Sequence, residues 1–156
     1  MTEPFEQWAT AWDSPGFVLW HATLRWQAAM RAALAPHGLT HVQFVLLASI
    51  GWLARSGAAP TQREVADHAG ADVAMAGQAV RSLEASGLVT RRRAPGDARS
   101  WRLAPTAGGR ERLAAAVVSV EAADTAFFGA APDPGAMPEI LRTLARRDRE
   151  GRITDS

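Results

Sequence analysis

Residues 61–86 encode two short helices separated by only a few residues, and this spacing constrains the fold more than any other feature of the sequence. The first helix, in TQREVADHAG, begins at a capping box formed by Thr61 and Glu64. Gly-Ala-Asp at 70–72 then makes a tight turn, and Asp72 can cap the second helix, VAMAGQAVRSLEAS. Two short helices joined by a turn that contains glycine form a helix-turn-helix.

A basic hairpin follows the second helix. Gly87 ends that helix, LVTRRR at 88–93 is strand-like, APGDA at 94–98 is a turn, and RSWRLA at 99–104 is a returning strand. The pattern predicts a β-hairpin with a loop of four or five residues. Pro105 predicts an early end to the returning strand, because proline cannot donate to a strand ladder.

Longer helices flank this unit on both sides. Ser14 and Pro15 predict the start of a helix that is apolar on two faces, and a box of Thr40 and Gln43 starts the next one. After the hairpin, Thr106 can cap a long helix, and a last helix ends in the basic run RRDREGR. The predicted class is mainly α with a small β-hairpin wing, which is a winged helix-turn-helix with a helical body.

Positive charge is concentrated in the middle of the chain. From Arg81 to Arg102 there are six arginines against Glu84 and Asp97, which gives +4, whereas the whole chain carries only +1. All 17 basic residues are arginines, so part of this signal reflects a GC-rich genome. A charged loop on its own is most often a solvated turn. Directly after a helix-turn-helix, the same charge favours a surface that meets a polyanion.

Several other classes of function are disfavoured. The chain has no cysteine, and its four histidines show no metal-ligand spacing, so we expect no disulfide, no metal site and no cofactor. No paired carboxylates, G-x-S-x-G motif or phosphate loop is present, so we expect no catalytic residues and no enzyme activity. No apolar run approaches the ~20 residues needed to span a bilayer. The acidic N-terminus is not typical of a signal peptide, which predicts a soluble cytoplasmic protein without membrane contact.

The second helix of the motif is the predicted recognition helix. In a helix-turn-helix, the N-terminal residues of this helix contact base edges in the DNA major groove. If its apolar residues face the core, four side chains face outward: Met75, Gln78, Arg81 and Ser82. Gln78 can pair with adenine, and Arg81 can pair with guanine or with phosphate. We therefore predict DNA contacts for Gln78, Arg81 and Ser82.

The hairpin supplies the remaining predicted DNA contacts. Its tip can reach the minor groove, which attracts arginine, and Arg99 is the predicted probe. Asp97 can accept from an arginine side chain or a backbone N–H, which would hold the tip in shape. The remaining arginines of the hairpin are predicted to contact phosphates: Arg91, Arg92, Arg93 and Arg102.

With these motifs the sequence resembles the MarR family of bacterial winged helix-turn-helix regulators. The family's most specific run, Leu-Glu-x-x-Gly-Leu-Val-x-Arg, matches residues 83–91. Asp-x-Arg in the wing matches Asp97 and Arg99, and Thr-x-x-Gly at the next helix matches Thr106 and Gly109. The sequence departs from the family pattern at Gly77, because family members often have serine or threonine early in the recognition helix. We interpret Gly77 as a residue that can allow close approach to the DNA backbone.

The resemblance implies an obligate homodimer that regulates transcription, with repression as the favoured mode. Residues 1–39 would form an N-terminal arm and dimerisation helix, 40–105 the DNA-binding region, and 106–156 the C-terminal dimerisation helices. The two-fold symmetry implies a palindromic operator with half-sites ~10 bp apart. The alternative is a winged-helix dimer that serves as a protein-interaction module and binds no specific DNA sequence.

The resemblance also implies a small aromatic or anionic effector bound between the body and the winged region. Six tryptophans are many for this length, and an aromatic wall with one cation suits a flat organic anion. The alternative is that these tryptophans only pack the core and the dimer interface. The predicted ligand-binding residues lie on the two helices before the helix-turn-helix: Trp20, His21, Arg25, Phe44 and Trp52.

Overall fold

The computed structural model describes residues 8–145. In this span the regular elements are helices apart from one two-stranded antiparallel sheet, which confirms the predicted class. Residues 1–7 of the N-terminal arm and the basic run at 146–152 lie outside the described residues. The helices and strands are α1 (Pro15–Leu34), α2 (His41–Leu53), α3 (Gln62–Ala69), α4 (Val73–Ala85), β1 (Val89–Ala94), β2 (Asp97–Pro105), α5 (Ala107–Phe128) and α6 (Met137–Leu144).

The capping boxes form where the sequence predicts them. Thr40 Oγ1 accepts the N–H of Gln43 at 3.2 Å, and Gln43 Oε1 accepts the N–H of Thr40 at 2.9 Å. Thr61 and Glu64 form the second box at 3.1 and 2.6 Å, and the N–H and hydroxyl of Thr61 lower the pKa of Glu64. Each box satisfies backbone donors that have no partner within the helix, so the starts of α2 and α3 are fixed locally.

Helix α2 forms the centre of the fold. It packs against α1, α3, α4, α5 and β2. A helix with neighbours on several sides is apolar on several sides, and HVQFVLLASIGWL is of this kind. The core around α2 includes the fully buried side chains of Met30, Leu34, Leu46, Leu47, Ile50, Val65, Val80 and Leu103.

The hairpin is tighter than the sequence predicts. Ala94 pairs with Asp97, so only Pro95 and Gly96 connect the strands, and the predicted loop of four or five residues is wrong. Gly96 has a φ of +78°, and proline followed by glycine with positive φ is typical of a type II turn. β2 continues to Pro105, so the predicted early end of that strand is also wrong.

A β-bulge lies beside this turn. Arg93 pairs with Trp101, so residues 98–100 of β2 stand between the partners of two consecutive residues of β1. Arg99 lies in the bulge, where its backbone N–H donates to Asp97 Oδ1 at 2.9 Å. Asp97 was predicted to accept from either an arginine side chain or a backbone N–H, and it accepts from the backbone N–H of Arg99. It satisfies a donor that the bulge removes from the strand ladder.

The wing joins α5 through a close contact between two backbone segments. Thr106 Oγ1 donates to the Gly87 carbonyl at 2.7 Å and accepts the N–H of Gly109 at 2.9 Å. Thr106 N–H donates to the Leu88 carbonyl at 3.0 Å. Gly109 is buried against that same carbonyl, whose oxygen would overlap a Cβ at this position. The Thr-x-x-Gly pattern is therefore a packing requirement.

A half-buried polar cluster joins the helical body to α2. Trp26 Nε1 of α1 donates to Asp124 Oδ1 of α5 at 2.8 Å. His41, the first residue of α2, lies edge-on to the Trp26 ring, with 5.0 Å between centroids. Burial lowers the pKa of His41, and the nearby Asp124 carboxylate opposes this shift without cancelling it. His41 is therefore harder to protonate in the folded protein than in the unfolded chain.

This pKa shift predicts a loss of stability in mild acid. Because the unfolded chain binds the proton of His41 more tightly, the free energy of unfolding is highest above the ordinary histidine pKa and falls below it. We expect the free energy of unfolding, measured by urea denaturation between about pH 5 and 7, to decrease as the pH is lowered. His41→Gln should make this dependence shallower. An unchanged slope in the variant would show that His41 does not cause it.

Apolar side chains remain exposed on the helices outside the winged region. On α1, Leu19 and Trp20 are 57% and 61% exposed. Val118 of α5 and Leu144 of α6 are similarly exposed. Within residues 8–145, no single helix is long and apolar enough to cross a bilayer, although the bent pair Pro15–His37 and His41–Ser56 meets that test by length and composition.

Candidate nucleic-acid interface

Helices α3 and α4 form the predicted helix-turn-helix. Gly70 adopts a φ of +64° and ends α3, and Asp72 Oδ1 then accepts the N–H groups of Ala74 and Met75 at 2.9 and 3.1 Å. The inner face of α4 is buried and consists of Ala76, Gly77, Val80 and Leu83. All four side chains predicted to face outward are exposed: Met75, Gln78, Arg81 and Ser82.

The outward residues differ in their contacts. Ser82 Oγ accepts a hydrogen bond from Gln43 Nε2 of α2 at 2.9 Å, so this hydroxyl connects the two helices. Gln78 and Arg81 are exposed on α4, where their side chains can extend into a groove. All three residues predicted on this helix are therefore exposed, and Ser82 in addition connects α4 to α2.

Gly77 does not face outward. It is buried, and a Cβ at this position would lie 2.9 Å from Nε2 of Gln62 in α3. The interpretation of Gly77 as a point of close approach to DNA is wrong. The glycine instead makes room for the Gln62 side chain between α3 and α4, at a cost of roughly 1 kcal/mol in helix propensity relative to alanine.

Two of the predicted phosphate-binding arginines are bound within the protein. Arg91 Nε lies 3.1 Å from Glu84 Oε2 of α4, and its side chain is 17% exposed. Arg102 Nη1 donates to the Ala59 carbonyl at 2.8 Å and lies 3.8 Å from Glu64 Oε2. The first contact joins the wing to α4, and the second joins the wing to the segment before α3. Neither contact was predicted from the sequence. The signal for the first was Glu84, an acidic residue seven positions before Arg91.

Trp101 supports the arginines of β1. The guanidinium carbons of Arg91 and Arg93 lie 4.1 and 4.0 Å from the Trp101 ring centroid, within the range of cation–π attraction. Arg92 and Arg99 are exposed at the wing, and Arg93 is exposed despite its contact with the ring. The wing thus presents three arginine side chains to solvent and fixes two others internally.

Known proteins resemble this chain over the helix-turn-helix and most of the wing. The MarR family profile matches residues 37–100. The HTH-type transcriptional regulator YdcH of Bacillus subtilis (strain 168) is 43% identical over 118 residues, which cover 76% of this chain and 80% of YdcH.

The chain belongs to the MarR family.

Solved structures of CouR from Rhodococcus jostii RHA1 extend the similarity to the whole fold. CouR bound to p-coumaroyl-CoA is 30% identical, with a TM-score of 0.75, over 88% of this chain and 96% of CouR. The transcriptional repressor CouR bound to a 23-mer DNA duplex is 29% identical, with a TM-score of 0.75, over 94% of this chain and 100% of CouR. As a MarR-family member, the protein is a winged-helix transcriptional regulator.

The MarR pattern at 83–91 has a physical basis in this structure. Leu83 is a core residue, and Glu84 pairs with Arg91 at the far end of the run. Gly87 adopts a φ of +70° between them, a conformation that residues with a Cβ rarely adopt. Leu88 and Val89 are buried directly after it. The pattern therefore encodes the turn from the recognition helix into the wing.

The predicted ligand residues do not meet in one place within this MarR protomer. Phe44 and Trp52 line a groove of about 350 Å³ between α2 and α3. Trp20 and Arg25 are exposed on α1, outside that groove. His21 packs against Phe17 and against Trp12, with centroid distances of 4.4 and 5.0 Å.

The groove between α2 and α3 contains a polar pair that sequence analysis missed. His68 Nδ1 lies 3.0 Å from Oγ of Ser49, which is buried. The remaining lining is apolar, from Val45, Ala48 and Ala69 beside the two aromatic rings. Ser49 was the available signal, since it is a polar residue inside the apolar run FVLLASIGWL.

A larger groove of about 770 Å³ lies between the ends of α1 and α4 and the first turns of α5. It is more polar, and Arg112 Nη1 donates across its edge to the His37 carbonyl at 2.6 Å.

Within residues 8–145, no three histidine or carboxylate side chains lie close enough together to hold a metal ion.

Proposed function

We propose that the protein is a homodimeric repressor that binds a palindromic operator in duplex DNA and releases it when a small aromatic or anionic ligand binds. The observation that supports DNA binding most directly is the combination of Gln78 and Arg81 exposed on α4 with Arg92, Arg93 and Arg99 exposed on the wing. Side chains of these types read base edges and neutralise phosphates. Such a regulator would act in the cytoplasm and needs no catalytic step.

The internal contacts refine the roles of the arginines. We assign base contact to Gln78 and Arg81, phosphate contact to Arg92 and Arg93, and minor-groove insertion to Arg99. Arg91 and Arg102 leave the set of phosphate contacts, because both residues are partly buried and contact polar partners within the protein. Arg92 and Arg93 stay in the set, because both are exposed.

The homodimer is supported by the apolar surface of the helical body. Leu19, Trp20 and Leu24 on α1 are all more than two-fifths exposed, and α6 exposes Ile140 and Leu144. Exposed apolar patches of this kind mark interaction surfaces in stable proteins. A second copy of the chain would cover them, and its two-fold symmetry would place two recognition helices on half-sites ~10 bp apart.

The relatives support both the repressor mode and the ligand. CouR is described as a transcriptional repressor in its complex with a DNA duplex, and another of its structures holds p-coumaroyl-CoA. In this chain, the groove between Phe44 and Trp52 offers aromatic walls, and His68 offers one polar group. These features suit a flat molecule with an acidic or hydrogen-bonding substituent.

The salt dependence of DNA binding tests the central proposal. If Arg92 and Arg93 meet phosphates in both protomers, these four contacts should make log Kd depend on log salt concentration with a slope of about 4. Arg92→Ala should reduce this slope by about 2, equally for all DNA sequences. Gln78→Ala should change sequence preference and leave the slope unchanged. A flat salt dependence would contradict the proposal and favour the protein-interaction module.

Tryptophan fluorescence tests the ligand proposal, because Trp52 lines the groove. We expect an aromatic carboxylate to quench tryptophan emission and to weaken operator binding over the same concentration range. His68→Ala should abolish both effects while DNA binding without ligand is retained. Arg25→Ala should abolish them only if α1 of a second copy covers the groove, so this variant tests whether the α1 residues take part. A broad panel of aromatic acids without effect would contradict the ligand proposal.

A further inference from the structure

Apolar side chains are exposed at the start of the recognition helix. Val73 and Met75 are 49% and 47% exposed, and Ala74 between them is also exposed. All three precede the polar residues Gln78 and Arg81 on the same helix. The first turn of α4 therefore presents a surface whose side chains cannot donate or accept a strong hydrogen bond.

The backbone of this turn is also occupied. Asp72 Oδ1 accepts the N–H groups of both Ala74 and Met75, at 2.9 and 3.1 Å. In many anion sites, free N–H groups at a helix start bind phosphate. Here the cap takes two of these donors. These two N–H groups are therefore not available to a phosphate, and the side chains exposed just after the cap are apolar.

Met75 is placed to act together with Gln78. The core-facing residues of α4 are Ala76, Gly77, Val80 and Leu83, which directs both Met75 and Gln78 away from the core. Residues three apart on a helix have Cβ atoms about 5–6 Å apart. Base pairs are stacked about 3.4 Å apart along DNA. If both side chains enter the same groove, Met75 therefore lies within one or two base steps of the base that Gln78 contacts.

Only one apolar group projects into the major groove from the four natural base pairs, and it is the C5-methyl group of thymine. We propose that Met75 contacts the C5-methyl group of a thymine one or two steps from the base read by Gln78, and so helps to select the operator half-site. This inference rests on the proposed DNA binding and adds a specificity-determining residue to it. Met75 has three flexible side-chain bonds, so it can fit closely around a methyl group.

The test removes the methyl group from the DNA and leaves the base pairing intact. Operators are first selected from random duplexes with the full-length protein. Each thymine of the half-site is then replaced in turn by deoxyuridine, and Kd is measured at fixed salt. We expect one thymine position at which the replacement weakens binding by about fourfold per half-site, which is the contribution of one buried methyl-sized group.

Two variants test whether Met75 causes the weaker binding of the deoxyuridine duplex. In Met75→Ala, the thymine and deoxyuridine duplexes should bind equally at the sensitive position. Met75→Leu keeps an apolar side chain and should retain the preference for thymine. Both substitutions are at an exposed position in a helix, and alanine and leucine are strong helix formers, so folding should be preserved.

The outcomes separate this inference from the proposed function. Sequence-specific binding without any deoxyuridine-sensitive position overturns the role of Met75 and leaves DNA recognition standing. Sensitivity that survives in Met75→Ala also overturns it, because another residue must then contact the methyl group. If the protein binds no duplex selectively, both proposals are overturned together.

Discussion

Gly109→Ala is expected to destabilise the protein by about 3 kcal/mol, the upper part of the range for overpacked sites. The new Cβ would overlap the Leu88 carbonyl oxygen and lie 3.0 Å from the carbonyl carbon. That carbonyl cannot move freely, because it accepts the N–H of Thr106 at 3.0 Å and its own residue donates to Leu83 at 2.9 Å. Urea denaturation of the variant and the parent protein measures the loss.

The neighbouring glycine provides a matched control. A Cβ on Gly108 would meet nothing closer than Thr106 Oγ1 at 3.9 Å, and the residue is exposed. Gly108→Ala should therefore stabilise the protein by up to about 1 kcal/mol through helix propensity. Equal effects of the two substitutions would show that the contact with Leu88 does not limit the residue at position 109.

The contact between Leu88 and Gly109 also bears on DNA binding. Leu88 follows the recognition helix and precedes β1, while Gly109 lies in the first turn of α5. Their contact fixes the start of the wing on the helix that continues into the body. We therefore expect Gly109→Ala to weaken DNA binding even under conditions in which the variant remains folded.

Structure that is determined by neighbouring residues can be predicted from this sequence. The starts of α1 to α5 were predicted because a capping residue needs only the donors of the next three residues, which the sequence shows directly. The outward face of α4 was predicted for a similar reason. Once Ala76, Val80 and Leu83 are placed in the core, the helical period fixes where Gln78 and Arg81 point.

The role of a residue is not predictable from the sequence where it depends on a partner distant in the chain. Gly77 looked free to approach DNA because Gln62, which fills the space beside it, lies on another helix. Arg102 resembled its neighbours in charge, yet the Ala59 carbonyl is placed beside it only when β2 packs next to the segment before α3. The bulge at Arg99 was likewise invisible, because composition does not show strand register.

Arg99→Ala is expected to weaken operator binding by at least about 30-fold, because each lost arginine contact costs about 1 kcal/mol or more and a dimer loses two. The bulge holds Arg99 at the tip, where its side chain is exposed and can enter a minor groove. Arg31→Ala removes the same charge from α1 and should have little effect. Similar losses in both variants would show that only net charge matters.

Two substitutions at Asp97 then separate the shape of the wing from its charge. Asp97→Ala removes the acceptor for the Arg99 N–H, so the bulge should lose its form and operator affinity should fall although a negative charge is gone. Asp97→Asn also removes the charge but keeps an oxygen that can accept the same N–H. It should bind DNA as tightly as the parent protein or more tightly, because one repulsive charge near phosphate is lost. If Asp97→Ala binds more tightly as well, Asp97 acts only through repulsion and the bulge does not need its support.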